Sequence, residues 1–584
     1  MRHLASGVLG MVLVVSGLGS AGAQQRPLRT LDTVYEGPAY TSAAAWKARA
    51  GYLREHVLAS AGLLPMPERT ALRPVVFGEL THGDYTVSKV YFESLPGFFV
   101  TGNLYRPSGS GPFPAVLSPH GHWAYGRLEN SALVSAPGRA INLARQGFVV
   151  FTYDMIGYND SRQLPHTFGG RREALWGLSL AGLQLWNSIR SLDFLETLPY
   201  VKREAIGVTG ESGGGTQTFL LAAVDDRVAV AAPVNMISLH MQGGCLCENP
   251  PGLRLDTTNV EIAATIAPRP LLMVSATGDW TADTLEKEYP AVRGIYSLLG
   301  AADQVHAVRV RAEHNYNRES REAMYAWMAR WLQHAPADTV VAERNFTPDP
   351  LNDLLVFHGR PLPDGALTAD QVTAQWIEAA TRQLTSAPPE TLALALRHAL
   401  GYGDRRAPER TASRAAAPTV LLGSPDPDLE QQLRKAGFAV QAIAFTTADA
   451  GAAATIKHFD TYNRTPAAQR AADIVAALEA HPGAAVVASG DAALAALLAA
   501  AVVPLRAAVL DVQRFDASSD ADYLAHLDMP GLRRAGGLQT AVAAAGPSLV
   551  IHNAGDHFAI RGPRIESRPL TAPEIVAALQ SALR

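Results

Sequence analysis

At 584 residues, with 48% hydrophobic and 18% charged side chains, the chain is too long for one ordinary core and has the composition of a globular protein, so two domains are expected. The formal net charge is -4 with the two signs interspersed, which excludes a basic face for nucleic acid and an acidic tail and points to a small or uncharged partner.

Arg2 and His3 precede an apolar run over residues 7–18, and Ala21-Gly22-Ala23 forms a small-residue cleavage site before Gln24. This pattern predicts a secretory signal peptide over residues 1–23 and a periplasmic or secreted mature protein. The run is shorter than the roughly 20 residues a bilayer needs, so no membrane span is expected after cleavage. No cysteine follows the cleavage site, which argues against a lipid anchor.

Residues 24–113 read as an N-terminal helical segment and a leading hairpin. The helical pattern covers residues 42–64 and stops at Pro65 and Pro67, and alternating segments at 85–92 and 98–105 are joined by Pro96-Gly97. Over residues 114–334 short apolar strands at 115–117, 148–153, 205–208, 228–233, 271–274 and 307–310 alternate with helical patterns. That alternation predicts an α/β domain whose mostly parallel sheet is covered by helices on both faces, with its site at the carboxyl ends of the strands. Residues 335–417 shift to Pro, Ala and charged residues and read as a connector with one helical segment, 369–400, laid on the surface.

Residues 418–584 repeat the first α/β domain in outline. Leu-Ala-Arg-Gln-Gly-Phe148 recurs as Leu-Arg-Lys-Ala-Gly-Phe438, Arg190 and Asp193 recur as Arg470 and Asp473, and Ala276-Thr-Gly-Asp279 has a counterpart in Asn553-Ala-Gly-Asp556. The repeat places Asp491 where Ser212 stands in the first copy. An aspartate there could attack carbon, but no histidine follows Asp556 at the needed distance, so a structural or cleft-shaping role is expected.

Gly210-Glu211-Ser212-Gly213-Gly214 fits G-x-S-x-G directly behind an apolar strand and ahead of a helical pattern, the context in which a sharp turn presents a serine hydroxyl outward. Ser212 is the candidate nucleophile. In this topology the acid and then the histidine follow the serine, and a serine hydroxyl needs such a base to lose its proton. Asp279, in the loop after strand 271–274, is the candidate acid, with Asp283 and Glu248 as competitors. His314, after strand 307–310, is the candidate base; His306 and His334 read as surface residues.

Charge developing on a carbonyl oxygen needs two N–H donors. Gly213 supplies one, and the turn Ser118-Pro-His-Gly-His-Trp123 the other, through His122 or its neighbour Trp123. His120 and His122 lack a convergent carboxylate and read as turn residues rather than metal ligands. Cys245 and Cys247, the only cysteines, are too sparse for a zinc site and read as packed thiols or a strained local disulfide. Trp123, Trp280, His166 and Arg171 are the candidate substrate contacts. No metal or organic cofactor is expected.

On Ser118-Pro-His-Gly-His-Trp, Gly210-Glu-Ser-Gly-Gly-Gly-Thr-Gln-Thr218, Ala267-Pro-Arg-Pro-Leu271 with Gly278-Asp279, and Glu313-His314, the chain resembles α/β-hydrolase esterases of the dienelactone-hydrolase and acetyl xylan esterase kind, specifically exported two-domain proteins with a degenerate second hydrolase-like domain. The resemblance covers about residues 41–332. It implies a Ser212-Asp279-His314 triad and acetyl or methyl esters on plant polysaccharide as substrates. Two rivals are a serine peptidase, which would need a β-propeller that about 90 residues cannot hold, and a non-catalytic carbohydrate-binding scaffold.

Overall fold

The structure, a computed structural model, describes residues 27–35, 37–404, 418–447, 449–546 and 548–583. The leader expected over residues 1–23 and the end of the expected connector lie outside the described residues. Among the described residues no helix is long and apolar enough to cross a membrane.

Nine strands form the first sheet: β1 (Val75–Thr81), β2 (Tyr85–Leu95), β3 (Phe98–Pro107), β4 (Phe113–Leu117), β5 (Val149–Tyr153), β6 (Val201–Glu211), β7 (Val228–Val234), β8 (Leu271–Gly278) and β9 (Val305–Glu313). Their order is β1-β2-β3-β5-β4-β6-β7-β8-β9. The leading strands pair antiparallel, and from β5 through β9 every pairing is parallel. The central strands are buried over most of their length, as a sheet covered on both faces requires. One apolar layer lies against the helices Leu180–Thr197 and Gly213–Val224, and the opposite layer against Ala136–Arg145 and Arg318–Leu332.

A second sheet holds β10 (Thr419–Leu422), β11 (Ala439–Ala442), β12 (Ala485–Ser489), β13 (Ala508–Asp511), β14 (Leu549–His552) and β15 (Arg564–Ile565), all parallel, in the order β11-β10-β12-β13-β14-β15. This is the order of β5-β4-β6-β7-β8-β9, so the second lobe is a smaller α/β-hydrolase-like domain without the antiparallel leading strands. The second elbow is offset by one residue from the expected Asp491. The residue between β12 and its following helix, Asp491–Ala499, is Gly490, whose φ of 58° and ψ of -135° match the 56° and -122° of Ser212. Gly490, not Asp491, therefore stands at the elbow. Asp491 opens the helix and pairs with His526 and Arg470 at 2.9 and 3.2 Å.

The connector's single expected helix is two, Ala369–Ser386 and Pro389–Ala399, because Pro388 and Pro389 interrupt the first and start the second. Trp376 of the first is buried, and its indole N–H donates to the Trp176 carbonyl at 3.0 Å.

Candidate active site

Ser212 sits between β6 and the helix Gly213–Val224 at a positive φ that costs a non-glycine residue strain, and its flanking glycines show what holds it there. A Cβ on Gly210 would come within 2.4 Å of the Pro119 carbonyl, and one on Gly214 within 2.6 Å of the same oxygen. The elbow is thus pressed directly against the 118–123 loop. Ser212 is half-buried among buried neighbours, its backbone N–H donates to Val234 at 3.0 Å, and its hydroxyl has no hydrogen-bond partner among the described residues.

Asp279 follows β8 and His314 follows β9, and these strands are neighbours, so their loops meet at one rim. The Asp279 Oδ1 accepts from the Thr281 N–H at 2.7 Å and its hydroxyl at 2.5 Å, while Oδ2 lies 2.8 Å from His314 Nδ1. With a carboxylate as partner, Nδ1 is the protonated nitrogen, and Nε2 presents its lone pair outward. The carboxylate is 2% exposed and the imidazole 24%. Beyond His314 the loop is tied down by the Asn235 amide donating to the Asn315 carbonyl at 3.0 Å and by the Tyr316 hydroxyl 2.6 Å from that of Thr209 on β6. Asp283 instead pairs with Lys287 at 2.7 Å, and Glu248 is buried in the cysteine loop. His306 lies on β9 with its ring over Trp327, and His334 follows the helix Arg318–Leu332.

The Gly213 N–H is the first of its helix and has no intrahelical acceptor. In the facing loop the Trp123 N–H donates to the Gly121 carbonyl at 2.9 Å, whereas that of His122 has no partner among the described residues. Of the two expected donors there, His122 is the unengaged one. His120 is a turn residue: Nδ1 donates to the Gly121 carbonyl at 2.7 Å and Nε2 accepts the Met155 N–H at 3.0 Å. Complete burial pushes its pKa down to about 3, so it is neutral.

Of the four expected substrate contacts, Trp280 and Trp123 lie against His314, with ring centroids 4.5 and 6.1 Å from it. His166 is turned toward the cysteines, its Nε2 3.3 Å from Cys245 Sγ. Arg171 is not at the site. Its guanidinium binds Asp528 of the second lobe at 2.6 Å and the Leu524 carbonyl at 2.9 Å, because the helix Arg171–Leu175 faces that lobe. Cys245 and Cys247 are free thiols.

Two residues went unremarked in the sequence. Glu211, the residue before Ser212, is completely buried; its Oε1 accepts from the Gly121 N–H at 3.1 Å and the Trp123 indole at 3.0 Å, and its Oε2 pairs with the equally buried Arg139 at 2.9 Å. Arg139 also donates to the Ser118 hydroxyl at 3.0 Å and lies over the Tyr316 ring. One ion pair therefore links the elbow, the 118–123 loop and the residues following His314. The elbow pattern leaves its second position open, so only an acidic residue in a buried strand end could have signalled it.

No family model matches the chain. It is 28% identical over 260 residues to "Putative hydrolase YtaP" of Bacillus subtilis (strain 168), covering 41% of this chain and 84% of that protein. Among solved structures, Methylesterase BT1017 is 31% identical with a TM-score of 0.50, covering 59% of this chain and 78% of that one. A glucuronoyl esterase from Solibacter usitatus is 16% identical with a TM-score of 0.39, covering 53% and 99%.

Proposed function

The chain belongs to the α/β-hydrolase esterases and is a carboxylic-ester hydrolase, and on that footing we propose that it is an exported serine esterase acting on carbohydrate esters through Ser212, His314 and Asp279. The observation that carries the reading is the 2.8 Å contact between Asp279 Oδ2 and His314 Nδ1 at the rim that also bears the strained Ser212 elbow. His314 Nε2 takes the proton of the Ser212 hydroxyl as its oxygen attacks the ester carbonyl, and Asp279 holds the ring and stabilises the imidazolium. The N–H groups of Gly213 and His122 receive the oxyanion. Collapse expels the alcohol with the proton returned by His314, and a water activated by the same nitrogen releases the acid from Ser212. The leader pattern around Arg2 and Ala23 supports export.

Replacing Ser212 by Ala, and separately His314 by Ala, is expected to lower kcat on p-nitrophenyl acetate by roughly 10⁴–10⁶-fold with the fold retained. Undiminished turnover in either variant, or no turnover by the parent protein, overturns the assignment.

The resemblance to acetyl xylan esterases makes an acetyl group on plant polysaccharide the first reading. A methyl ester of a uronic acid is the second reading, supported by the 31% identity to a methylesterase. Acetylated xylan and methylated pectin, offered in parallel with acetate and methanol quantified, separate them: acetate release supports the first and methanol release the second.

A further inference from the structure

Three loops beside the elbow bring together side chains that esterolysis does not use. One ring nitrogen each of His122 and His166 and the sulfurs of Cys245 and Cys247 all lie within 4.8 Å of one another. His122 Nε2 is 3.0 Å from Cys247 Sγ, and His166 Nε2 is 3.3 Å from Cys245 Sγ. We propose that these four residues form a structural zinc site that clamps the cysteine loop to the loop bearing His122.

The donor set is the argument. Two imidazoles and two thiolates are a common tetrahedral complement for zinc, and with Zn–N about 2.0 Å and Zn–S about 2.3 Å the ligand atoms of such a site stand about 3.3–3.8 Å apart. The four atoms already span that range to within about 1 Å. Binding requires both thiols to lose their protons to solvent, so two thiolates cancel the ion's charge and the half-buried site stays neutral.

The surroundings are those of ligands already oriented. His166 Nδ1 donates to the Ile156 carbonyl at 2.6 Å, which fixes the proton on that nitrogen and aims the Nε2 lone pair at the sulfurs. Glu248 Oε2 accepts from the backbone N–H groups of Gly244 and Cys245 at 2.8 and 2.9 Å and so holds the start of the cysteine loop. Four protein donors leave no open coordination position, so the ion's role is to fix backbone. The backbone it would fix matters: the His122 ring lies so close to Gly213 that a Cβ there would approach its Cε1 to 2.5 Å.

The test reads metal content without turnover, so its outcome is independent of the esterase assignment. The full-length protein and its Ser212→Ala variant are reduced, stripped with a chelator, titrated with Zn²⁺ against a chromophoric competitor, and separately loaded with Co²⁺. One equivalent of zinc per chain is expected in both, with intense visible bands of tetrahedral Co²⁺ and a thiolate-to-cobalt band in the near ultraviolet. Cys245→Ser and Cys247→Ser should each abolish stoichiometric binding and the rise in thermal midpoint that zinc gives the parent. A reduced, folded parent protein that takes up no zinc overturns the proposal, as do weak octahedral Co²⁺ bands, or retention of Cu⁺ in place of Zn²⁺. Because the cobalt spectrum is read on the parent protein, a cysteine variant that fails to fold leaves the test intact.

Discussion

Glu211→Gln changes one atom in the side chain that links the elbow to its facing loop. The carboxylate serves two sides at once: Oε1 accepts from Gly121 and Trp123, and Oε2 accepts from Arg139. A glutamine has one acceptor oxygen, so in either orientation its NH₂ group points at donors, at the Arg139 guanidinium or at Gly121 and Trp123. Both partners of the ion pair are fully buried, so no water screens the orphaned charge. Removing one partner of such a pair costs about 3–5 kcal/mol of stability. Gly121 and Trp123 flank His122, so the proposed oxyanion donor should also move, which is worth about 10²–10³ in kcat. Urea denaturation at neutral pH measures the first effect and hydrolysis of p-nitrophenyl acetate the second. Arg139→Met and the double variant complete a cycle in which the double should lose less than the sum of the singles. A Glu211→Gln protein within about 1 kcal/mol of the parent, or losses that simply add, refutes the reasoning.

Asp279→Asn should keep the fold and lower kcat by about 10⁴, because the amide oxygen goes to the two Thr281 donors and turns the NH₂ group toward His314 Nδ1, which forces the ring proton onto Nε2; a loss below about tenfold on p-nitrophenyl acetate would contradict this. His120 titrates near 6.5 when unfolded but at about 3 when folded, so the unfolded chain binds more protons between those values. Its stabilisation is complete above pH 6.5 and is lost as pH falls toward 3, by roughly 4–5 kcal/mol at most, and urea midpoints of the parent should fall more steeply over that window than those of His120→Gln. Arg171→Ala removes an exposed inter-lobe pair and should change stability by no more than about 1 kcal/mol and leave kcat/KM on p-nitrophenyl acetate unaltered; a tenfold loss would return Arg171 to the substrate site.

What was legible in the sequence was local. The strand-glycine-helix punctuation around Ser212 and the strand ends before Asp279 and His314 are short-range patterns, and the last two are close in space because β8 and β9 are adjacent and parallel. The parallel sheet followed from the run of apolar strands separated by helices. The rest depends on what comes from elsewhere in the chain. C-x-C alone is too little for a metal, and nothing in the spacing announces that His122 and His166 arrive from two other loops. Arg171 lies within a helix turned toward the second lobe, a direction fixed by tertiary packing. The slip of one residue at Gly490 has a physical origin too. The elbow needs its middle residue at positive φ, which glycine meets without strain, while the alanine-rich stretch around it matches itself in several registers.

A glycine at the second elbow keeps the shape of a nucleophile turn and discards the hydroxyl, which raises the question of what that lobe contributes. Its contacts answer in backbone terms. The Gly252 N–H donates to the Asp460 carbonyl at 2.7 Å, the Arg254 N–H to the Thr461 carbonyl at 2.9 Å, the Thr461 hydroxyl to the Asn249 carbonyl at 3.0 Å, and the Lys457 ammonium to the Gly244 carbonyl. Every one of these lands on the stretch between residues 244 and 254, which carries Cys245 and Cys247. An irregular segment of that length buried against a sheet rim must find partners for its peptide groups, and here the second lobe supplies them where water would on an ordinary surface loop. The second lobe thus supplies backbone partners to a loop of the first. Without these contacts, the segment facing His122 and His166 would lose the hydrogen bonds that set its path.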